Sequence, residues 1–241
     1  MADAMELKRD TAGETLIGSL TKFLMSSVGS KVVMAITGLG LGVFIAGHLA
    51  GNLLAYVGRD AFNHYAATLK GNPLLLWGAR SALIIGFPLH ILTALRTVQL
   101  NRAARPVPYA HDPKSPSRMA AKSMMLSGAL VLVYFAYHLA HFTWHLTGPQ
   151  PTALNADGTF DAFSMLVKGF QQPLITLLYV VAQVLLAAHI SHGIYSLFQH
   201  LGFWGAKWTP FLKNASLVVG YGLCAGFASI PLAVLLGFIK L

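Results

Sequence analysis

The chain has 241 residues, a formal net charge of +9 and a mean hydropathy of +0.60; 55% of its residues are hydrophobic and only 10% are charged. Soluble domains carry about 25% charged residues, so this balance points to a lipid bilayer and away from an ordinary soluble enzyme domain. A single cysteine, Cys224, excludes an intrachain disulfide, an iron–sulfur cluster and a Cys-x-x-Cys-His attachment site.

In chain order, residues 1–30 read as a cytoplasmic N-terminal segment. Within it, residues 12–30 form a surface helix with Leu16, Leu20, Phe23 and Leu24 at helical spacing. No short apolar run with a small-residue cleavage site precedes them, which predicts no signal peptide. Charged residues are absent between Lys31 and Arg59, Lys122 and Asp157, Lys168 and Lys207, and Lys213 and Lys240. A further stretch, Leu74 to Val98, is equally apolar but contains Arg80 and Arg96. A spanning helix needs about 20 apolar residues. The expected fold is therefore an all-α integral membrane protein with spans at about 31–56, 74–98, 123–147, 173–199 and 214–238. Between spans, Phe62, Tyr65 and Leu69 mark one face of a helix over 59–70. The linker 101–117 holds Pro106, Pro108, Pro113 and Pro116. Phe163, Leu166, Val167 and Phe170 predict a short outer helix lying on the membrane. No internal repeat, glycine-rich phosphate loop or nucleotide fingerprint is evident, and the whole chain reads as one membrane domain.

The basic residues fall on alternate sides of these spans. Lys8, Arg9, Lys22, Lys31, Arg96, Arg102, Arg105, Lys114, Arg118, Lys122, Lys207 and Lys213 lie on one side, against Arg59, Lys70, Lys168 and Lys240 on the other. Twelve against four predicts a cytoplasmic N-terminus. The positive charge is topology and not a nucleic-acid footprint.

Seven of the ten histidines fall within the predicted spans: His48, His90, His138, His141, His145, His189 and His192. Ionisable groups at membrane depth are rare and mark function. At about 1.5 Å per residue, His48 stands about 25 Å up span one and His138 about 23 Å up span three. His90 and His189 stand about 24 Å down spans two and four, which run the other way. The four thus form two levels, His48 with His138 in the outer half and His90 with His189 in the inner half. Two facing neutral imidazoles suit a six-coordinate haem iron, a centre that carries electrons without an open position for oxygen chemistry. Zinc fits less well, because the pairs are separate and have no carboxylate nearby.

Around these pairs, Gly51, Gly86 and Gly193 lie about one turn from a ligand and leave room for a porphyrin or for tight helix packing. Arg80 and Arg96, at opposite ends of span two, are matched to the propionates of the outer and inner haem, or snorkel to headgroups. His141 and His145 share a face with His138 nearer the outer surface, within reach of a propionate, a quinone or water. His192 lies deeper than His189 and supports it. Quinone carbonyls need donors at the membrane edge; outer candidates are His64, Tyr65, His141 and His145, and inner candidates Ser26, Ser27, Lys31 and His200.

Several segments resemble a known family. "AGHLAGN" around His48 followed by "DAFNHYA", "FPLH" ending at His90, "YHLAHF" from Tyr137 and "HISHGIYSLFQHLG" from His189 are similar to the single-chain dihaem cytochrome b subunit of succinate dehydrogenases and fumarate reductases. The resemblance runs from about residue 26 to 238. It implies a haem-binding bundle of the first four spans, two haem b with ligands His48, His90, His138 and His189, and none from the fifth span. It also implies a flavoprotein and an iron–sulfur subunit as partners, a quinone (generally menaquinone) as substrate, and a bacterial cytoplasmic (inner) membrane. The alternatives are the dihaem cytochrome of another quinone-linked complex, a haem-free histidine-relay transporter, and a structural anchor whose histidines only cross-link helices.

Overall fold

The computed structural model describes residues 16–104, 116–148, 155, 158, 160–203 and 205–241. Lys8, Arg9, Arg105, Lys114, Pro106, Pro108 and Pro113, which carry part of the charge and linker reading, lie outside them. Among the described residues the regular structure is helical, with no strands. Helix α1 covers Leu16–Met25, and α2 covers Ser27–Leu53 with a 3₁₀ turn at Leu54–Tyr56. Then come α3 (Arg59–Gly71), α4 (Pro73–Ala103), α5 (Pro116–Phe142), α6 (Ala162–Phe170), α7 (Pro173–His200) and α8 (Thr209–Leu235). Five stretches are long and apolar enough to cross a membrane: Ser27–Tyr56, Pro73–Ala103, Ser123–Phe142, Pro173–His200 and Thr209–Leu235.

Local chemistry sets the helix ends. Ser26 breaks the helix expected over 12–30: its Oγ accepts from the Gly29 amide at 3.0 Å and starts a new helix there. Asn72 caps α4 in the same way through the Leu75 amide, with Pro73 at the first helical position. The third expected span also stops early. Helix α5 ends at Phe142, not near residue 147, because Trp144 and Leu146 turn their amides back to the carbonyls of Leu139 and Ala140. This wide C-terminal turn places His145 at φ +55°, a left-handed conformation that ends a helix. His145 therefore does not share a helical face with His138 and His141, as the sequence periodicity suggests.

Helix α2 packs on α4, α7 and α8, α5 packs on α7, and α7 and α8 form the most extensive pair. Small residues permit the close approaches. A Cβ on Gly220 would collide with Ser191, and one on Gly226 would press on Leu49. Cys224 is buried with Ala187 and Ile190 at the α7–α8 seam.

Helix α6 departs from its expected place on the membrane surface. Phe163, Leu166, Val167 and Phe170 are all buried, against Ala55, Tyr179, Ile230 and Val234. It is a plug over one end of the bundle, because its apolar stripe finds protein on several sides. Asp161 anchors it. This side chain, 1% exposed, caps α6 at the Ser164 amide (3.0 Å), accepts from Ser164 Oγ (2.6 Å) and Asn63 Nδ2 (2.9 Å), and forms an ion pair with Arg59. Burial alone would raise the Asp161 carboxyl. The Ser164 hydrogen bonds, the Asn63 bond and the Arg59 charge more than offset it and hold the group at about 2.

Candidate cofactor-binding histidine pairs

The imidazoles of His48 on α2 and His138 on α5 have ring centres 5.9 Å apart and planes at 85°. Those of His90 on α4 and His189 on α7 are 6.5 Å apart at 71°. Neither α2 with α5 nor α4 with α7 is among the closely packed helix pairs. Each pair therefore reaches across the four-helix arrangement instead of lying between packed neighbours. All four rings are half-buried.

These separations lie within the range of ordinary ring contacts, such as the 5.8 Å between His48 and Phe227, and can be compared with what hydrogen bonding and metal binding require. An N–H···N bond of about 2.9 Å in line between two imidazoles brings their centres to about 5 Å, which is shorter than either pair shows. Two imidazole nitrogens bound to one first-row metal ion at about 2.0–2.1 Å each put the centres about 6–6.5 Å apart; the 90/189 pair falls in that range and the 48/138 pair just below it. Among the described residues no group of three His, Cys, Asp or Glu gathers at one point. Two nitrogens at one level would be enough for a metal that brings its own equatorial ligands, as a porphyrin iron does. Helices α4 and α5 have no buried residue along their most apolar windows. Between them lies an apolar cleft of about 440 Å³ lined in part by Phe87, Ile91, Phe135 and Leu139.

The two pairs have different surroundings. Nδ1 of His90 lies 3.2 Å from the Met34 carbonyl and 3.4 Å from Thr37 Oγ1, both on α2. Nδ1 of His189 lies 3.2 Å from Ser127 Oγ on α5. Glycines make room beside these rings: a Cβ on Gly38 would stand 3.1 Å from Cε1 of His90, and one on Gly128 3.3 Å from Cε1 of His189. His48 stacks on Phe44 with centres 5.6 Å apart and also contacts Phe227 of α8. Asn52 Nδ2 lies almost equally far from its two ring nitrogens, at 3.5 and 3.4 Å, while donating to the His48 carbonyl at 2.7 Å. The Tyr179 hydroxyl stands between His138 Nδ1 (3.5 Å) and His141 Nδ1 (3.1 Å). His141 is 2% exposed and its Nε2 has no partner. Gly148 and Gly169 pack on its ring so closely that a Cβ at either would press on it.

The remaining predicted residues are more dispersed. A Cβ at Gly86 or Gly193 would meet nothing within 4 Å, whereas Gly51 faces the Tyr65 ring and lets α3 fold onto α2. Arg80 lies over the Trp77 ring at 5.3 Å. Arg96 donates from Nε to the Met25 carbonyl at 3.1 Å, and from its terminal nitrogen as well, so it ties α4 to the α1–α2 junction. His145 stacks near Phe160. His64 and Ser27 are exposed, Lys31 and His192 half-buried. Sequence reasoning passed over Thr37, Gly38, Ser127, Gly128 and Tyr179. A signal for the first four exists: Thr37-Gly38 stands eleven and ten residues before His48, and Ser127-Gly128 stands eleven and ten before His138. The segments 37–49 and 127–139 share this spacing and also Val43/Val133, Ala46/Ala136 and Leu49/Leu139. Comparison with known protein families, with curated proteins and with solved structures finds no match to this chain.

Proposed function

We propose that this chain is the dihaem cytochrome b membrane subunit of a succinate:quinone oxidoreductase in a bacterial cytoplasmic membrane, where it anchors a flavoprotein and an iron–sulfur subunit and passes electrons between them and a quinone. The observation that supports the reading is that His48 meets His138 and His90 meets His189, two separate pairs on histidines within the segments that resemble this family. Bound between the pairs, two b-type haems supply one-electron transfer.

The chain's own residues perform the rest. His48 with His138, and His90 with His189, would supply the iron ligands. Phe44 and Phe227 pack against the His48 ring and shield it from water. By the distribution of basic residues, His90 and His189 lie in the cytoplasmic half, nearer the partner subunits. His48 and His138 lie beneath the α6 plug on the outer side. Quinone, with menaquinone the family's usual form, reacts at a membrane edge. His64 and Tyr65 on the outer side, and Ser27 and Lys31 on the inner side, are the candidate donors for it. The chain has no dicarboxylate site of its own.

A reduced-minus-oxidised spectrum of the purified complex tests this. The expected result is a b-type band at about two haems per chain, with a flavoprotein and an iron–sulfur protein copurifying. A colourless protein would reject it in favour of a histidine relay or a structural anchor.

A further inference from the structure

Each ring of the 90/189 pair meets a hydroxyl carried by the neighbouring helix. That hydroxyl belongs to a hydroxyl–glycine dipeptide occurring twice, three helical turns before the histidine of the other pair. Eleven residues at 100° each come back to within about 20° of the starting direction, and rise about 16 Å. Thr37 therefore shares a helix face with His48, and Ser127 with His138, one pair-level away. One face of α2 and one of α5 thus each present a ligand at one level and a hydroxyl at the other.

The hydrogen-bond directions follow from where the hydroxyl protons go. Thr37 Oγ1 donates to its own helix, to the Val33 carbonyl at 2.8 Å with Met34 at 3.2 Å. Ser127 Oγ donates to the Met124 carbonyl at 3.1 Å. With its proton on the helix carbonyl, each oxygen offers lone pairs to the imidazole, an arrangement that suits Nδ1 of His189 as the donor to Ser127. Nδ1 of His90 donates likewise to the Met34 carbonyl and Thr37. A ring protonated at Nδ1 has an unprotonated Nε2, the nitrogen free to bind metal. The 48/138 pair has no equivalent, since Asn52 is nearly equidistant from both nitrogens of His48 and Tyr179 is divided between His138 and His141.

We infer that Thr37 and Ser127 are positioning residues that fix the tautomer and ring orientation of His90 and His189 and thereby lower the reduction potential of the metal centre held by that pair alone. A ligand N–H that donates makes its imidazole a stronger electron donor and stabilises the oxidised metal. The inference rests on the dihaem reading.

The test uses the assembled complex purified from membranes, with haem content, the low-spin ferric electron paramagnetic resonance signals and a potentiometric titration as readouts. The two haems are first assigned by which disappears in His90→Ala. In Ser127→Ala both haems are expected to remain, and the 90/189 haem should shift to higher potential by roughly tenfold in its reduced-to-oxidised ratio, about 59 mV for one electron. Thr37→Ala should shift it less, because the Met34 carbonyl still accepts from His90. Ser127→Thr, which keeps the hydroxyl, should restore the original potential and signal. Loss of only that haem in Ser127→Ala, with retention in Ser127→Thr, supports the inference equally. An unchanged potential and signal in Ser127→Ala, a shift on the 48/138 haem, or an equal shift in Ser127→Thr would overturn it. Absence of haem from the unsubstituted complex would instead refute the dihaem reading, before any variant is made.

Discussion

A methyl group on Gly128 would stand 3.3 Å from Cε1 of His189, a separation tight enough that the ring or the helix must give. Gly38 has the same relationship to His90, at 3.1 Å. Gly→Ala inside an exposed helix is ordinarily worth about 0.5–1 kcal/mol in favour of Ala. Gly128→Ala and Gly38→Ala should forfeit that gain and alter the paramagnetic signal of the 90/189 haem. Gly40→Ala and Gly222→Ala, with nothing within 4 Å, should leave both signals unchanged. Identical spectra in all four variants would show that these glycines do not seat the rings.

If the pairs hold haem as proposed, His90→Ala should remove one haem and spare the other, and His48→Ala should do the converse, because the two pairs have no residue in common. Pyridine haemochrome content near one per chain in each single variant is the expected measurement. Retention of both haems in either variant would undo the assignment.

Asp161 is the buried centre of the clamp between α3 and α6. Asp161→Ala leaves the Ser164 amide without its acceptor and Asn63 Nδ2 with only Asn155 Oδ1, at a cost of about 1–3 kcal/mol, and should lower the melting temperature in detergent. Arg59→Ala should cost far less, since that side chain is 48% exposed.

Its pH dependence has a definite sign. The folded carboxyl, at about 2, lies below the ordinary value near 3.9, so the unfolded state takes up its proton first. The contribution, about 2 kcal/mol, is complete above about pH 4 and declines as pH falls towards 2. Comparison of acid melting curves for the unsubstituted chain and Asp161→Asn should show the two converging over that window. Curves that stay parallel would remove Asp161 from the account.

Tyr179 is the hydroxyl that His138 and His141 share. Tyr179→Phe keeps the ring among Tyr134, Phe142 and Phe170 but leaves His141 with neither nitrogen paired, a cost of about 1–3 kcal/mol. The variant should melt earlier and alter the spectrum of the 48/138 haem while the other stays fixed. A shift confined to the 90/189 haem would contradict that arrangement.

The α6 and His145 cases show where one-dimensional reading stops. Phe163, Leu166, Val167 and Phe170 mark an apolar stripe in either setting. Whether lipid or protein covers it depends on Ala55, Ile230 and Val234, which are far away along the chain. His145 falls at helical spacing from His138 and His141, yet the chain has turned by then. The backbone amides of Trp144 and Leu146 find carbonyls behind them, a choice that side-chain periodicity does not encode.

Composition and spacing determined the helical class, the five long apolar stretches and the positions of His48, His90, His138 and His189 along their helices, because helical rise converts residue counts directly into distances along an axis. Which rings face each other at a given height, which hydroxyls reach their outer nitrogens, and which glycines leave them room were decided only by the packing of α2, α4, α5 and α7. Rise along an axis is a local property of the backbone. Direction around the axis has meaning only once other helices stand beside it.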